Sequence, residues 1–281
     1  MADKPKPEEI DLFGLTHPGH VRKDNQDQFL IASLHKAMRV HYSSLPENQL
    51  GPLESDSRGY VFLVADGVGG GPSGREASGT ALQAVVEHCI HAMGLNLRRD
   101  LGAETEFMED LRESVARSHA AIRRKSRDDL EAPGMATTLT LVAVRWPRAF
   151  MVHVGDSRCY RLRGERLELL TTDQTMAQAM LEAGVMSQET AEQSGLKHVL
   201  YSAVGGREAK PQVRAEDCVR GEVMMLCSDG LTKHVSDEEI RQQLLTQPTA
   251  EAMCRGLVDL ALTRGGSDNV TVVAATVRAR A

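Results

Sequence analysis

Short apolar runs at 29–34, 38–43 and 60–65, the last stopping abruptly at Asp66-Gly67, carry the pattern of β-strands. Over 74–93 the period changes. Ala77, Ala81, Val85 and Cys89 form one stripe, with Leu82, Val86, Ile90 and Met93 beside it, as an amphipathic helix requires. Phe107, Leu111, Val115 and Ile122 predict a second helix over 104–125. After Pro133-Gly134 strand patterns return as a meander at 136–145, 149–154, 159–163 and 166–170. Two short helices are predicted at 173–183 and 187–193, followed by a loop at Gly205-Gly206. Strands at 212–217 and 222–227, helices at 237–245 and 249–263, and a last strand at 269–277 complete the chain.

Strands and helices come in blocks, without strict βαβ alternation, which favours an α+β fold with antiparallel sheets over a doubly wound sheet. The runs 136–144 and 269–277 carry Thr, Val, Leu and Ala on both alternating faces, so both faces are expected to be buried. Two sheets packed together and flanked by helices, a four-layer sandwich, satisfy this. No internal repeat or interdomain linker interrupts the pattern, and the chain reads as one domain over 1–281 with a flexible tail at 1–10.

Composition narrows the function. Lys and Arg number 33 against 39 Asp and Glu, a net charge of −6, and without a long basic run the footprint of a nucleic-acid binder is missing. The longest apolar runs, such as 139–144, fall far short of the ~20 residues of a membrane helix. The start MADKPKPEEIDLF lacks the apolar core of a secretory signal, and a cytoplasmic protein is expected. Five cysteines without CxxC spacing fit neither a disulfide framework nor a zinc knuckle.

Aspartates recur in one setting, at an end of an apolar run beside Gly or Ser, at Asp66, Asp156, Asp229 and Asp268, and Asp27 joins them just before a strand. Any one of them is explained by turn formation, which Asp-Gly favours by itself. Five together point elsewhere. Converging carboxylates raise one another's pKa unless a cation neutralises them, and an all-oxygen donor set suits Mg²⁺ or Mn²⁺ better than zinc or copper. Two such ions in one site serve phosphate-ester hydrolysis.

The segments GLTHPGHVRKDNQD, VADGVGGGPSG, GMATTLTLVAV, VHVGDSR, LTTDQT, LCSDGL and GGSDNVTVV follow in order from Leu12 to Val277. In them the sequence resembles the metal-dependent serine/threonine protein phosphatases of type 2C, the PPM family, in its bacterial form. The resemblance implies hydrolysis of phosphoserine and phosphothreonine in proteins by direct attack of a metal-bridging hydroxide, with two Mn²⁺ or Mg²⁺ ions in the core site and a weaker third. It makes Asp66 the carboxylate that bridges both metals and the Gly67 carbonyl a ligand of one. Asp229 and Asp268 match the positions holding the other metal, and Asp27 the residue steadying its partner ion, partly through water. Asp156 matches a ligand of the third metal, shared with Asp229. Arg22 matches the phosphate-binding arginine, whose guanidinium fork meets two phosphate oxygens at once, while Asn25 and Gln26 stand behind the ligands. The implied partners are phosphorylated proteins made by a cytosolic Ser/Thr kinase, and that kinase itself.

The chain also departs from the family pattern. Gln26 stands where many members have Glu, removing one negative charge behind the metals. Val68 replaces the His that some animal members place after Asp-Gly, and Gly71 the His of many bacterial ones. The proton donor to the leaving seryl oxygen is therefore open among His17, His20 and a metal-bound water. Gln174 replaces a frequent His after Asp173, and that pair is given a structural role. The stretch 175–206, with Met176, Met180 and Met186, matches a mobile flap, and 43–59 is longer than a hairpin needs. Two rivals are a non-catalytic scaffold of the same fold and a phosphatase dedicated to one anti-sigma-factor antagonist. The first would lack metal aspartates, and Asp27, Asp66, Asp229 and Asp268 are all present.

Overall fold

Strands that are apolar on both faces need cover on both, and the chain provides it by stacking two sheets between two helical layers. The computed structural model describes residues 4–35, 59–69, 72–91, 101–128 and 134–278. The strand expected at 38–43, nearly all of 43–59, and Gly71 lie outside the described residues. The strands are β1 (Ile10–His17), β2 (Asp27–Leu34), β3 (Gly59–Val68), β4 (Ala136–Thr137), β5 (Leu139–Arg145), β6 (Arg148–Val154), β7 (Arg158–Arg163), β8 (Arg166–Leu169), β9 (Gln212–Asp217), β10 (Val223–Cys227) and β11 (Val270–Val277). The helices are α1 (Pro72–His91), α2 (Leu101–Asp128), α3 (Met176–Glu182), α4 (Gln188–Gln193), α5 (Asp229–Thr232), α6 (Asp237–Thr246) and α7 (Ala250–Thr263). One sheet runs β1-β11-β10-β7-β8 and the other β2-β3-β5-β6-β9, with β4 beside β3.

The period-2 alternation of side chains sorts each central strand between two cores. On β3, Val61, Leu63 and Ala65 join the core under α1 and α2, with Ala81, Val85, Leu111 and Val115. Phe62 and Val64 turn the other way, into the layer between the sheets, where they share a core with Met224, Leu226 and Val273. On β11, Val270, Val272 and Ala274 pack with Leu257, Val258 and Ala261 of α7. The expected four-layer α+β sandwich is the observed fold.

The differences from expectation have local causes. β1 escapes the pattern because Asp11, Gly14 and Thr16 break up its apolar run, yet it pairs with β11 over its whole length, from Ile10↔Val277 to His17↔Val270. Gly14 is needed there, since a Cβ would stand 2.5 Å from the Phe29 ring on the opposite sheet. The strand expected at 136–145 divides at Thr138, whose backbone N–H donates to the Asp66 carbonyl instead of continuing the ladder (2.8 Å). Thr175 and Ser187 cap α3 and α4, their hydroxyls accepting from the Gln178 and Thr190 N–H, as N-cap residues do. Of the expected tail, residues 4–10 lie against the sandwich: Pro5 is buried and the Glu9 carboxylate pairs with Arg220 at 3.0 Å.

His153 on β6 is fully buried, its Nδ1 2.9 Å from the Thr140 hydroxyl and its Nε2 3.2 Å from the Thr172 carbonyl. Burial lowers its pKa to about 4, although Asp173 pulls the other way. A folded-state pKa below the unfolded value means that only the unfolded chain gains the proton as pH falls from 6.5 to 4, so this stability is present above 6.5 and lost across that window. The full difference is about 3 kcal/mol. Chemical denaturation of wild type and His153→Gln at pH 7 and pH 4 should show wild type losing about that much more than the variant; parallel losses would contradict the buried neutral imidazole.

Candidate active site

In antiparallel pairs the end of one strand lies beside the start of the next, and this chain places an aspartate at each such junction on one end of the sandwich. Asp27 opens β2 directly opposite Asp66 near the end of β3. Asp229 follows β10 as the first residue of α5, and Asp268 precedes β11 by two residues. Asp156 sits in the turn between β6 and β7. The five aspartates singled out from sequence thus share one end of the fold, two contributed by one sheet, two by the other, and Asp156 by the crossing between them.

Side-chain hydrogen bonds join the sheets at this point. Asp27 is buried, and its Oδ2 accepts from the Ser228 and Thr271 hydroxyls, both at 2.7 Å. Its Oδ1 is buried and, among the described residues, has no hydrogen-bond partner. Asn25 is an orienting group: its Oδ1 accepts from the Asp27 N–H (3.1 Å) and its Nδ2 donates to Thr16 (2.8 Å). The Gln26 N–H donates to Asn269 Oδ1 at 2.9 Å, and the Asn269 amide donates in turn to the Pro18 and Asp24 carbonyls. Asn269 therefore fixes the loop that carries Arg22.

Asp66 is held by its backbone. Its N–H donates to the Thr138 hydroxyl (2.9 Å), and its carbonyl accepts from the Thr138 N–H and the Thr137 hydroxyl, both at 2.8 Å. The threonine pair of GMATT is thus a clamp on the aspartate. Gly67 must be glycine, because a Cβ would lie 2.2 Å from the Gly74 carbonyl at the start of α1. Gly155, Asp156 and Ser157 are fixed similarly: Ser157 and Thr138 share a hydroxyl hydrogen bond of 2.7 Å, and Gln174 Oε1 accepts from the Gly155 N–H at 3.1 Å. Asp173 takes Arg158 in a two-pronged pair, Nε at 3.0 Å and the terminal nitrogen at 2.8 Å, so the Asp173-Gln174 pair shapes the turn.

Two cations enter the cluster. Arg22 addresses both oxygens of Asp268, Nε to Oδ1 at 2.8 Å and the terminal nitrogen to Oδ2 at 2.9 Å. Lys233 Nζ lies 2.7 Å from Oδ2 of Asp229 and 2.7 Å from Oδ2 of Asp268. Among the described residues, no three acidic, His or Cys side chains are drawn together as a ready metal-ligating group. Lys233 joins Asp229 to Asp268, and Arg22 holds Asp268 from its other side.

Electrostatics follow from this arrangement. Desolvation, reinforced by Asp27, Asp229, Asp156 and Asp268, pushes Asp66 well above the usual carboxylate range. Burial and the neighbouring Asp229 push Asp156 up to about 8. Desolvation raises Asp27 to about 6 against the pull of its two hydroxyl donors. Desolvation also works against ionisation of Asp268, but Arg22 and Lys233 outweigh it and hold its carboxyl below the usual range. The two cations serve Asp229 and Asp268, and the raised carboxyls of Asp27, Asp66 and Asp156 are left short of positive charge.

The family profile described as Protein phosphatase 2C matches residues 49–260, three quarters of the chain. This chain belongs to the protein phosphatase 2C family. Among its relatives, the serine/threonine protein phosphatase PstP of Mycobacterium tuberculosis is 35% identical over 217 residues, 77% of this chain and 40% of PstP. The chain thus spans less than half of that relative. The serine/threonine phosphatase Stp of Listeria monocytogenes is 29% identical over 231 residues, 81% of this chain and 88% of Stp. The crystal structure of the catalytic domain of PstP in complex with two manganese ions superposes with a TM-score of 0.74 at 29% identity, covering 96% of this chain and 99% of that domain.

For a protein phosphatase 2C domain, the sequence motifs located the aspartates and Arg22 but missed the groups that hold them. Ser228 and Asn269 adjoin motif aspartates, and that proximity was the available signal; Thr271, three residues after Asp268, and Thr138, far from any motif aspartate in the chain, carried none. Lys233 was missed altogether: a spacing of four makes it a neighbour of Asp229 only on a helix, and the turn α5 was not expected at 229–232. Among the histidines proposed as proton donors, His17 accepts the Gly19 N–H on Nδ1 at 3.0 Å, and its ring lies 6.1 Å from that of His20.

Proposed function

We propose that this chain is a Mn²⁺- or Mg²⁺-dependent protein-serine/threonine phosphatase acting in the cytoplasm on phosphoproteins made by a Ser/Thr kinase, with that kinase as a further substrate. The gathering of five aspartates and one arginine at the same end of the sandwich carries this reading. The cluster fits hard divalent ions: every donor is oxygen, the unpartnered Oδ1 of Asp27 is a buried acceptor in need of a cation, and the raised carboxyls of Asp66 and Asp156 ionise once positive charge arrives. Its relatives named as serine/threonine phosphatases support the substrate class.

In this reading Asp66, the Gly67 carbonyl, Asp229 and Asp268 hold two ions, with Asp27 beside them and Asp156 at a weaker third position. Bound there, the ions supply Lewis acidity and a water acidic enough to be a nucleophile near neutral pH. The chain's own contribution is positional. Thr137 and Thr138 keep Asp66 at a fixed height on β3, Ser228 and Thr271 orient Asp27, and Asn269 holds the Arg22 loop. The Arg22 side chain is 55% exposed, free to turn its fork from Asp268 to phosphate oxygens and to stabilise the charge they gain during transfer. Among the described residues no helix is long and apolar enough to cross a membrane.

The decisive assay offers metal-stripped protein a phosphothreonine peptide and a phosphotyrosine peptide with Mn²⁺, Mg²⁺ or EDTA. Phosphate release from phosphothreonine that requires Mn²⁺ or Mg²⁺ is expected. Folded, metal-binding protein that releases none would favour the scaffold reading.

A further inference from the structure

Lys233 lies outside every motif that pointed to the site, yet its ammonium joins two of the site's aspartates. Nζ is 2.7 Å from Asp229 and 2.7 Å from Asp268, the side chains being only 24%, 20% and 17% exposed. The backbone fixes this position. Lys233 closes the single turn α5, its N–H donating to the Asp229 carbonyl at 2.9 Å, and the neighbouring Val235 and Leu231 are buried in the core under α7. The lysine stem therefore rises from an anchored point one helical turn from Asp229.

Asp268 is fully engaged. Its Oδ1 accepts from Arg22 and from the Asn269 N–H (3.0 Å), and its Oδ2 from Arg22 and Lys233. Arg22 is half exposed on a loop and has phosphate to serve, whereas the Lys233 ammonium makes its close ion pairs with the two carboxylates. A tethered ammonium meets them at an effective concentration on the order of millimolar without losing translational freedom, so a dication needing the same oxygens has to displace it.

We propose that Lys233 is an internal counter-ion that competes with the metal ions for Asp229 and Asp268 and thereby sets the metal concentration at which the site loads. The inference rests on the phosphatase reading of these aspartates. It assigns Lys233 two effects of opposite sign: it keeps the carboxylates together when metal is scarce, and it weakens metal binding by holding the site in a form that the ion cannot enter. Apparent affinity falls in proportion to the fraction of molecules in the open form.

The test is calorimetric titration of Mn²⁺ into the metal-stripped full chain, as wild type, Lys233→Gln and Lys233→Arg. Glutamine keeps most of the length and loses the charge, and the change opens no cavity in the core. Lys233→Gln should bind Mn²⁺ on the order of tenfold more tightly, while Lys233→Arg stays near wild type. In thermal melts the metal-stripped Lys233→Gln protein should unfold at lower temperature than wild type and recover the difference when Mn²⁺ is added. A lysine that only supports the turn would not give a gain in affinity on its removal. Wild type that binds Mn²⁺ with Lys233→Gln binding equally or more weakly overturns the inference and leaves the phosphatase reading intact. Failure of both proteins to bind Mn²⁺, with normal melts, overturns the metal reading itself. Should Lys233→Gln not fold, Lys233→Met provides the same comparison.

Discussion

Asp66→Asn should lower metal-dependent turnover of a phosphothreonine peptide by roughly 10³-fold or more, since several kcal/mol of transition-state stabilisation depend on the ions it is proposed to share. Asparagine has the same shape, and the clamp on this residue runs through its backbone, to Thr137 and Thr138. The fold should therefore survive. The metal-stripped variant should even be more stable than wild type, because desolvation and four neighbouring aspartates hold Asp66 well above its ordinary pKa, a cost the unfolded chain escapes by ionising freely and asparagine does not carry. Lost activity with a raised melting temperature is a pair of effects that general damage cannot produce. Near-normal turnover in Asp66→Asn would refute the bridging role.

Arg22→Ala should reduce kcat/KM on the order of 100-fold, mainly through KM, because a half-exposed guanidinium contributes where it meets the phosphate and not to the core. Arg22→Lys should restore little of the loss, since an ammonium cannot offer two parallel donors. Mn²⁺ affinity should be unchanged or tighter in both variants, for Arg22 occupies both oxygens of Asp268. Calorimetry showing that Arg22→Ala no longer binds Mn²⁺ would contradict this assignment and make Arg22 part of the metal site's frame.

How much of this was legible in the sequence depended on whether the signal was local. β10 and β11 were readable because buried strands in a two-sheet core are apolar on both faces, and α1 and α2 because each buries one continuous stripe. β1 was not, since its one-residue interruptions are tolerated only where β11 supplies a partner and Gly14 lets Phe29 approach. Aspartates at strand ends stood out as a repeated local pattern. Their supports did not: Thr138 reads as an ordinary strand residue, and only the kink between β4 and β5 reveals that it holds Asp66. Lys233 reads as one more surface charge until α5 turns it toward Asp268, 35 residues further along the chain.

The position of Asp27 has a mechanical consequence. It belongs to one sheet, and its carboxylate is gripped by Ser228 and Thr271 of the other, so the cluster acts as a rivet through two stacked plates. Ions held there would be fastened to both plates at once, and sliding one sheet over the other would break the coordination before it broke either sheet. Alterations in the layer between the plates, far from any charged group, would then register as changes in metal retention. The grip of the site is in that sense a gauge of how tightly the whole sandwich is pressed together.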